Sequence, residues 1–169
     1  MKENAIYFGK KEYYELIKNL GGTWNDAKER PIVCLIKLPE SDNIYWAVPM
    51  GNWNHRSDEA KERINKYLEL PEEKIASCYY HVGRTTTKSI FFISDVVPIS
   101  DKYIEREYLG RDSKGYVIKN KKLLAELERK VRRIVYYEDK NPNSFRQHIT
   151  DVKKYLVDEN EKENAEKED

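Results

Sequence analysis

Two apolar runs, Ile32–Leu38 and Ile44–Met50, flank the turn-forming segment Ser41-Asp42-Asn43. Only Lys37 interrupts the first run. Short continuous apolar runs bounded by turn residues are the pattern of strands buried on both faces. Serine, aspartate and asparagine bond their own backbone and so favour the reversal between them. Residues 32–50 are therefore expected to form an antiparallel hairpin in the interior, to which the rest of the chain must conform.

Further strands are expected at Ala5–Phe8, Ile75–Val82 and Ser89–Ser94, with Asp95–Ser100 extended and Pro98 near a sheet edge. Helices alternate with them. Lys10–Leu20 carries Tyr13, Tyr14, Leu16, Ile17 and Leu20 at spacings of three and four, and Gly21-Gly22 can end it in a left-handed cap. Ser57 or Asp58 can cap a helix over 59–68, before Pro71. A short helix is expected from Ser100 or Asp101 to about Leu109, and the longest over 116–137. A last helix runs through Phe145, Ile149, Val152 and Leu156, with Ser144 and Gln147 spaced as a capping box. The expected class is α+β: one domain of four to six mostly antiparallel strands with inserted helices and a long C-terminal helical part.

Charge divides the chain. The net charge is +1 over 169 residues. Residues 158–169 hold seven acids and two lysines, leaving 29 basic and 23 acidic residues in 1–157. The expected domain is therefore 1–157, moderately basic and compatible with a polyanion. The acidic tail 158–169 has too few apolar residues to pack and is expected to be disordered. Cys34 and Cys78 lie in apolar runs and read as buried reduced thiols. The opening Met-Lys-Glu-Asn-Ala carries no signal-peptide pattern, and no apolar run nears the ~20 residues of a membrane span. A cytoplasmic protein with no membrane partner is expected.

The chemistry is narrowed by what the sequence lacks. It has no C-x-x-C, no H-x-x-x-H, no glycine-rich phosphate loop and no G-x-S-x-G. Zinc, ATP-dependent and serine-hydrolase chemistry lose their usual signatures, and no metal or cofactor is expected. What remains is a strand-end loop, Gly51-Asn52-Trp53-Asn54-His55-Arg56-Ser57, offering amides, an imidazole, a guanidinium, a hydroxyl and an indole. RNA cleavage without metal needs a base for the ribose 2′-OH, donors for the charged phosphorane and an acid for the departing 5′-oxygen. Histidine suits the proton steps. Arg and Asn suit the phosphate. Trp53 suits a stacked base. The same loop also reads as a polar turn capping the next helix. A second basic, hydroxyl-rich loop contains His81, Arg84, Thr85, Thr86 and Lys88. On the long helix, Lys119, Lys122, Arg129, Lys130 and Arg133 share one side, interrupted by Glu126. Both features suit phosphate contacts and both are also ordinary solvated surface.

The ordered set of segments resembles a known family. The similar pieces are Tyr7-Phe8 followed by helical Glu12-Tyr13-Tyr14, the strand Arg30-Pro31-Ile32-Val33-Cys34-Leu35-Ile36, and Ile44-Tyr45-Trp46-Ala47-Val48-Pro49-Met50. Lys88-Ser89-Ile90-Phe91-Phe92-Ile93-Ser94-Asp95-Val96-Val97-Pro98-Ile99 and then Asp101-Lys102-Tyr103-Ile104 complete it. In this order they resemble the toxins of type III toxin–antitoxin systems, the ToxN, AbiQ, TenpN and CptN group, most nearly the CptN-like branch. The resemblance implies a compact, twisted antiparallel, barrel-like sheet similar to MazF and Kid. It also implies metal-independent RNA cleavage to a 2′,3′-cyclic phosphate. The implied partner is the toxin's own antitoxin RNA, a repeat-derived pseudoknot held with the protein in a closed protein–RNA hetero-oligomer; cellular RNA is the substrate.

Carried over residue by residue, Tyr13 matches a site tyrosine of the first helix, and Arg30 is expected to stand in, from the other side of Pro31, for the basic residue that the family has beside this proline. The family's strand-end Thr-Ser pair is missing from Val48-Pro49-Met50-Gly51-Asn52. The expected catalytic set is therefore Tyr13, Arg30, Asn52, Asn54, His55, Ser57 and His81. His55 serves as base or acid, and His81 or Tyr13 as the second proton-transfer group. Trp53, Arg56, Arg84, Thr85, Thr86, Lys88 and the five cations of the long helix are expected to bind RNA. The rival expectations are a MazF-like mRNA interferase neutralised by a protein and a non-catalytic RNA-binding module.

Overall fold

The computed structural model of the chain describes residues 1–24 and 29–169; the loop expected over Thr23–Glu29 lies partly outside them. The expected hairpin is present as β2 (Ile32–Lys37) and β3 (Ile44–Asn52), antiparallel in the register Ile32↔Pro49 to Cys34↔Ala47. Both strands are almost wholly buried, as their unbroken apolar runs require. Around them stand β1 (Ile6–Gly9), β4 (Tyr80–Arg84), β5 (Lys88–Phe92), β6 (Val97–Ser100) and β7 (Ile104–Glu107). The strand order is β4-β5-β3-β2-β1-β7, all antiparallel, with β6 also paired to β3.

Strand β3 is the spine of this sheet. Its first half pairs with β6, from Ile44↔Ser100 to Ala47↔Val97. Its last three residues pair instead with β5, from Met50↔Phe91 to Asn52↔Ser89. Met50 and Phe91 still pack in the main core, and beyond them the end of β3 runs into the β4–β5 ribbon, with a small second core of Trp53, Ile64 and Ile90. Helix α2 (Asp58–Leu68) covers that face, while α1 (Lys11–Asn19), α3 (Lys121–Lys140) and α4 (Ile149–Glu168) pack on the main core. The glycines after α1 act as their positions demand. Gly21 adopts φ +87°, and a Cβ on Gly22 would lie 2.9 Å from the backbone of Gln147. Both cysteines are buried free thiols, and burial pushes that of Cys34 up.

Among the described residues the sheet has seven strands where four to six were expected. The long helix begins at Lys121 and not at 116, which leaves Lys119 outside it. Four further segments depart from their sequence pattern. Residues 75–78 form a one-turn 3-10 helix and not the start of a strand. The Ser77 hydroxyl donates to the Lys74 carbonyl at 2.7 Å, a local bond that competes with sheet pairing. The helix expected to Leu109 is a single 3-10 turn, Asp101–Tyr103, followed by β7. The edge of β1 offers ladder partners there, which outweigh local preference. Gln147 caps no helix. Its side chain is fully buried and donates to the carbonyls of Ser94 and Val96 at 2.7 and 2.9 Å, and α4 begins after left-handed His148. Finally, the acidic tail continues α4 to Glu168. Glu159 and Glu163 receive Lys102 at 2.7 and 3.2 Å, and Asn160 reaches Ser41 and Asn43. Polar anchoring holds a segment that a count of apolar residues leaves loose. Among the described residues, no helix is long and apolar enough to cross a membrane.

Candidate functional site

At the end of β3 the backbone turns sharply. Asn52 accepts a hydrogen bond from the Asn54 amide at 2.9 Å, and Trp53–His55 form one 3-10 turn. Ser57 then caps α2 by accepting from the Ala60 amide at 3.1 Å. Trp53 is buried in the second core. This anchor and this cap fix the residues between them and direct Arg56 back across Gly51. Arg30, entering β2 from a distant part of the chain, reaches the same place. A Cβ built on Gly51 would lie 2.4 Å from Arg56 Nη2 and 3.4 Å from Arg30 Nη1. Glycine is thus the residue that admits both guanidinium groups over the strand.

The ring of Phe92 is their shared support. The guanidinium carbons of Arg30 and Arg56 lie 4.9 and 5.3 Å from its centre. No described carboxylate forms an ion pair with either arginine, and Arg56 Nε is buried without a hydrogen-bond partner. Burial, then the adjacent Arg30 charge, lowers the pKa of Arg56. Two cations held together without a counter-charge repel each other, and an anion between them relieves that cost. The positive lining continues along β5. Lys61 and Lys88 stand 5.9 and 5.7 Å from the Trp53 ring centre, and Lys88 is paired in register with exposed Arg84. His55 and Asn54 are exposed immediately before Arg56.

Several expected site residues are elsewhere. Tyr13 is fully buried between Trp24 and Tyr103, and its hydroxyl donates to the Pro98 carbonyl. Burial raises its pKa well above the usual phenol value, so it is a core residue and no proton donor for substrate. Trp53 is only 7 % exposed and offers no open ring face for a base. His81 pairs in register with Phe91, on the sheet face opposite Tyr80 and Phe92. Its charged neighbours, Lys130, Glu126 and Arg129, all belong to α3. Burial first, and then Lys130, push its pKa down to about 4. It does not share the site of His55.

The stripe on the long helix also resolves differently. Lys130 is buried and donates to the Tyr80 carbonyl at 2.7 Å. Arg129 pairs with Glu72 at 3.4 Å and Glu126 at 3.0 Å. Arg133 donates to the carbonyls of Glu72 and Glu73. Lys130 thus ties α3 to the start of β4, and Arg129 and Arg133 tie it to the segment before β4, so the three serve packing between elements and do not form one open row. Lys119 and Lys122 remain exposed. In the β4–β5 turn, Thr85 is occupied with Thr87 and Ser89, at 2.9 and 2.8 Å, while Thr86 is half-buried.

Sequence reading missed Phe92 as the support and placed Arg56 in a subsidiary role. One signal was available: a glycine inside a strand, Gly51, marks a close approach by another group. Among the described residues, no three His, Cys, Asp or Glu side chains gather as a metal-binding group. Compared with known proteins, the chain matches no family model and no curated relative.

Proposed function

We propose that the protein is an endoribonuclease that cuts RNA by attack of the ribose 2′-OH, as the toxin of a type III toxin–antitoxin system. The reading rests on one observation: Arg30 and Arg56 lie together over Phe92 with no carboxylate partner, next to the exposed turn bearing His55. The arginine pair holds the scissile phosphate and stabilises the charge that builds on it as the 2′-oxygen attacks. His55 takes the 2′-OH proton. The departing 5′-oxygen faces solvent and receives its proton there, which leaves a 2′,3′-cyclic phosphate and a free 5′-OH. Asn52 and Ser57 shape the turn by accepting from backbone amides, and each keeps donor capacity, the Asn52 NH2 and the Ser57 O–H, for the phosphate.

The family assignment extends this reading to a MazF-like origin of the sheet and to inhibition by a processed antitoxin RNA. The test is incubation of RNA-free protein with RNA in excess EDTA. Cleavage with cyclic-phosphate ends is expected, and intact RNA would exclude the enzyme. A short RNA co-purifying from the native operon supports the type III assignment, whereas a co-purifying polypeptide supports a MazF-like toxin. The withdrawal of Tyr13 and His81 favours a second reading, a non-catalytic RNA-binding module, because one histidine is left for two proton transfers. The EDTA experiment separates that reading as well.

A further inference from the structure

The Phe92 ring that supports the arginine pair is the first of a continuous series of rings. Phe92 meets Tyr80 at 6.2 Å, Tyr80 meets Tyr67 at 5.5 Å, Tyr67 meets Tyr79 at 5.7 Å, and Tyr79 meets Phe145 edge-on at 6.0 Å. The series leads from the guanidinium groups to a cavity of about 320 Å³. Ligand pockets span roughly 300–1,000 Å³, so this one suits a single ring system. Tyr79, Tyr80 and Phe145 supply aromatic walls, and Asp95, Arg146 and Gln147 supply the polar lining.

The polar groups have fixed orientations. Arg146 donates to both Asp95 oxygens, from Nε at 3.1 Å and Nη2 at 3.2 Å. The Asp95 carbonyl is held by the Trp24 indole at 2.8 Å. Gln147, fully buried, binds the carbonyls on either side of Asp95 through its amide nitrogen, at 2.7 and 2.9 Å, and leaves its oxygen unpartnered. Asp95 is therefore rigid, while its side chain stays 17 % exposed. A carboxylate has about four acceptor positions, and Arg146 uses two. The free positions only accept. They match an exocyclic amino group and oppose a carbonyl oxygen.

We infer that the cavity beside Tyr79, Tyr80 and Phe145 receives one unstacked nucleobase of a single-stranded RNA whose phosphate lies on Arg30 and Arg56, and that Asp95 selects bases bearing an exocyclic amino group. Adenine, cytosine and guanine present that amino group on the Watson–Crick edge; uracil has none there and presents a single N3–H between two carbonyls. This inference rests on the RNA-binding part of the reading above and adds a specificity subsite to it. Single-stranded RNA is characteristically read in this way, by aromatic stacking with hydrogen bonds to the base edge.

The test uses the full chain and uridine heptamers with a central A, C or U, followed by fluorescence anisotropy. Central A or C should bind roughly tenfold more tightly than U, the scale of one well-stacked base. Asp95→Asn should erase the A/C-over-U preference, and Tyr80→Leu should weaken the A and C heptamers to the level of U. Circular dichroism verifies that each variant is folded. Ultraviolet cross-links from the central base should map to Tyr79, Tyr80 or Phe145. Arg56→Ala should weaken all three heptamers and leave their ranking intact. Equal binding of the three heptamers, or a preference that survives Asp95→Asn, would overturn the subsite and leave RNA cleavage standing. Failure to bind or cut any RNA would remove the functional reading and the subsite together.

Discussion

Arg56 is held where it is by what Gly51 lacks. A methyl group on Gly51 would meet the end of a flexible side chain, 2.4 Å away, and no packed backbone. Gly51→Ala should therefore displace Arg56 while the sheet survives. At least a tenfold loss of RNA cleavage is expected, about 1.4 kcal/mol of transition-state binding, with little change in Tm. His55→Ala should lower cleavage about 10²- to 10⁴-fold, the usual worth of a positioned acid–base group, and relieve growth arrest while RNA binding persists. A toxic His55→Ala variant removes His55 from the mechanism. His81 makes a different prediction. Its folded pKa of about 4 lies below the ordinary 6.5, so between these values the unfolded chain holds the extra proton. The stability tied to neutral His81 is complete above pH 6.5 and is lost progressively as pH falls toward about 4. Thermal melts across this range should show a decline that His81→Gln flattens.

Local pattern foretold most elements, because burial of one helix face or of both strand faces leaves a periodic record. The α2 cap at Ser57 is legible for the same reason: its bond spans three residues. Elements fixed by distant partners left less trace. Strand β7 exists because β1 has an open edge, and a short helix was expected in its place. The end of α4 is the clearest test at this scale. Deleting residues 158–169 removes Glu159 from Lys102 and Tyr103, and Asn160 from Ser41 and Asn43. Exposed ion pairs each contribute little, so the expected loss is about 1–2 kcal/mol in all. Chemical denaturation and far-ultraviolet circular dichroism should show it as a lower midpoint and lost helix signal. An unchanged midpoint would return the segment to the disordered class.

Across the molecule, β3 does two jobs with one strand. Its first half belongs to the main core, and its last three residues carry the site into the β4–β5 ribbon. Four cations then border one face of that ribbon: Arg30, Arg56, Lys61 and Lys88. If a single strand contacts all four, log affinity should fall with log salt at a slope of about −3. A slope near zero would mean that this face does not hold the RNA backbone.

The β2–β3 hairpin, the helix faces and the turn at Asn52–Ser57 were determined by sequence alone, since each depends on residues close enough in the chain for their spacing to record the contact. The partners of the site were decided only in three dimensions. Sheet register brings Arg30, Arg56 and Phe92 to one face. The strand pleat sends His81 to the other, and the main core closes over Tyr13. Side-chain type announces which chemistry is available, but which groups meet depends on strand order and register. Those are set by the free energy of the whole core and leave no local mark.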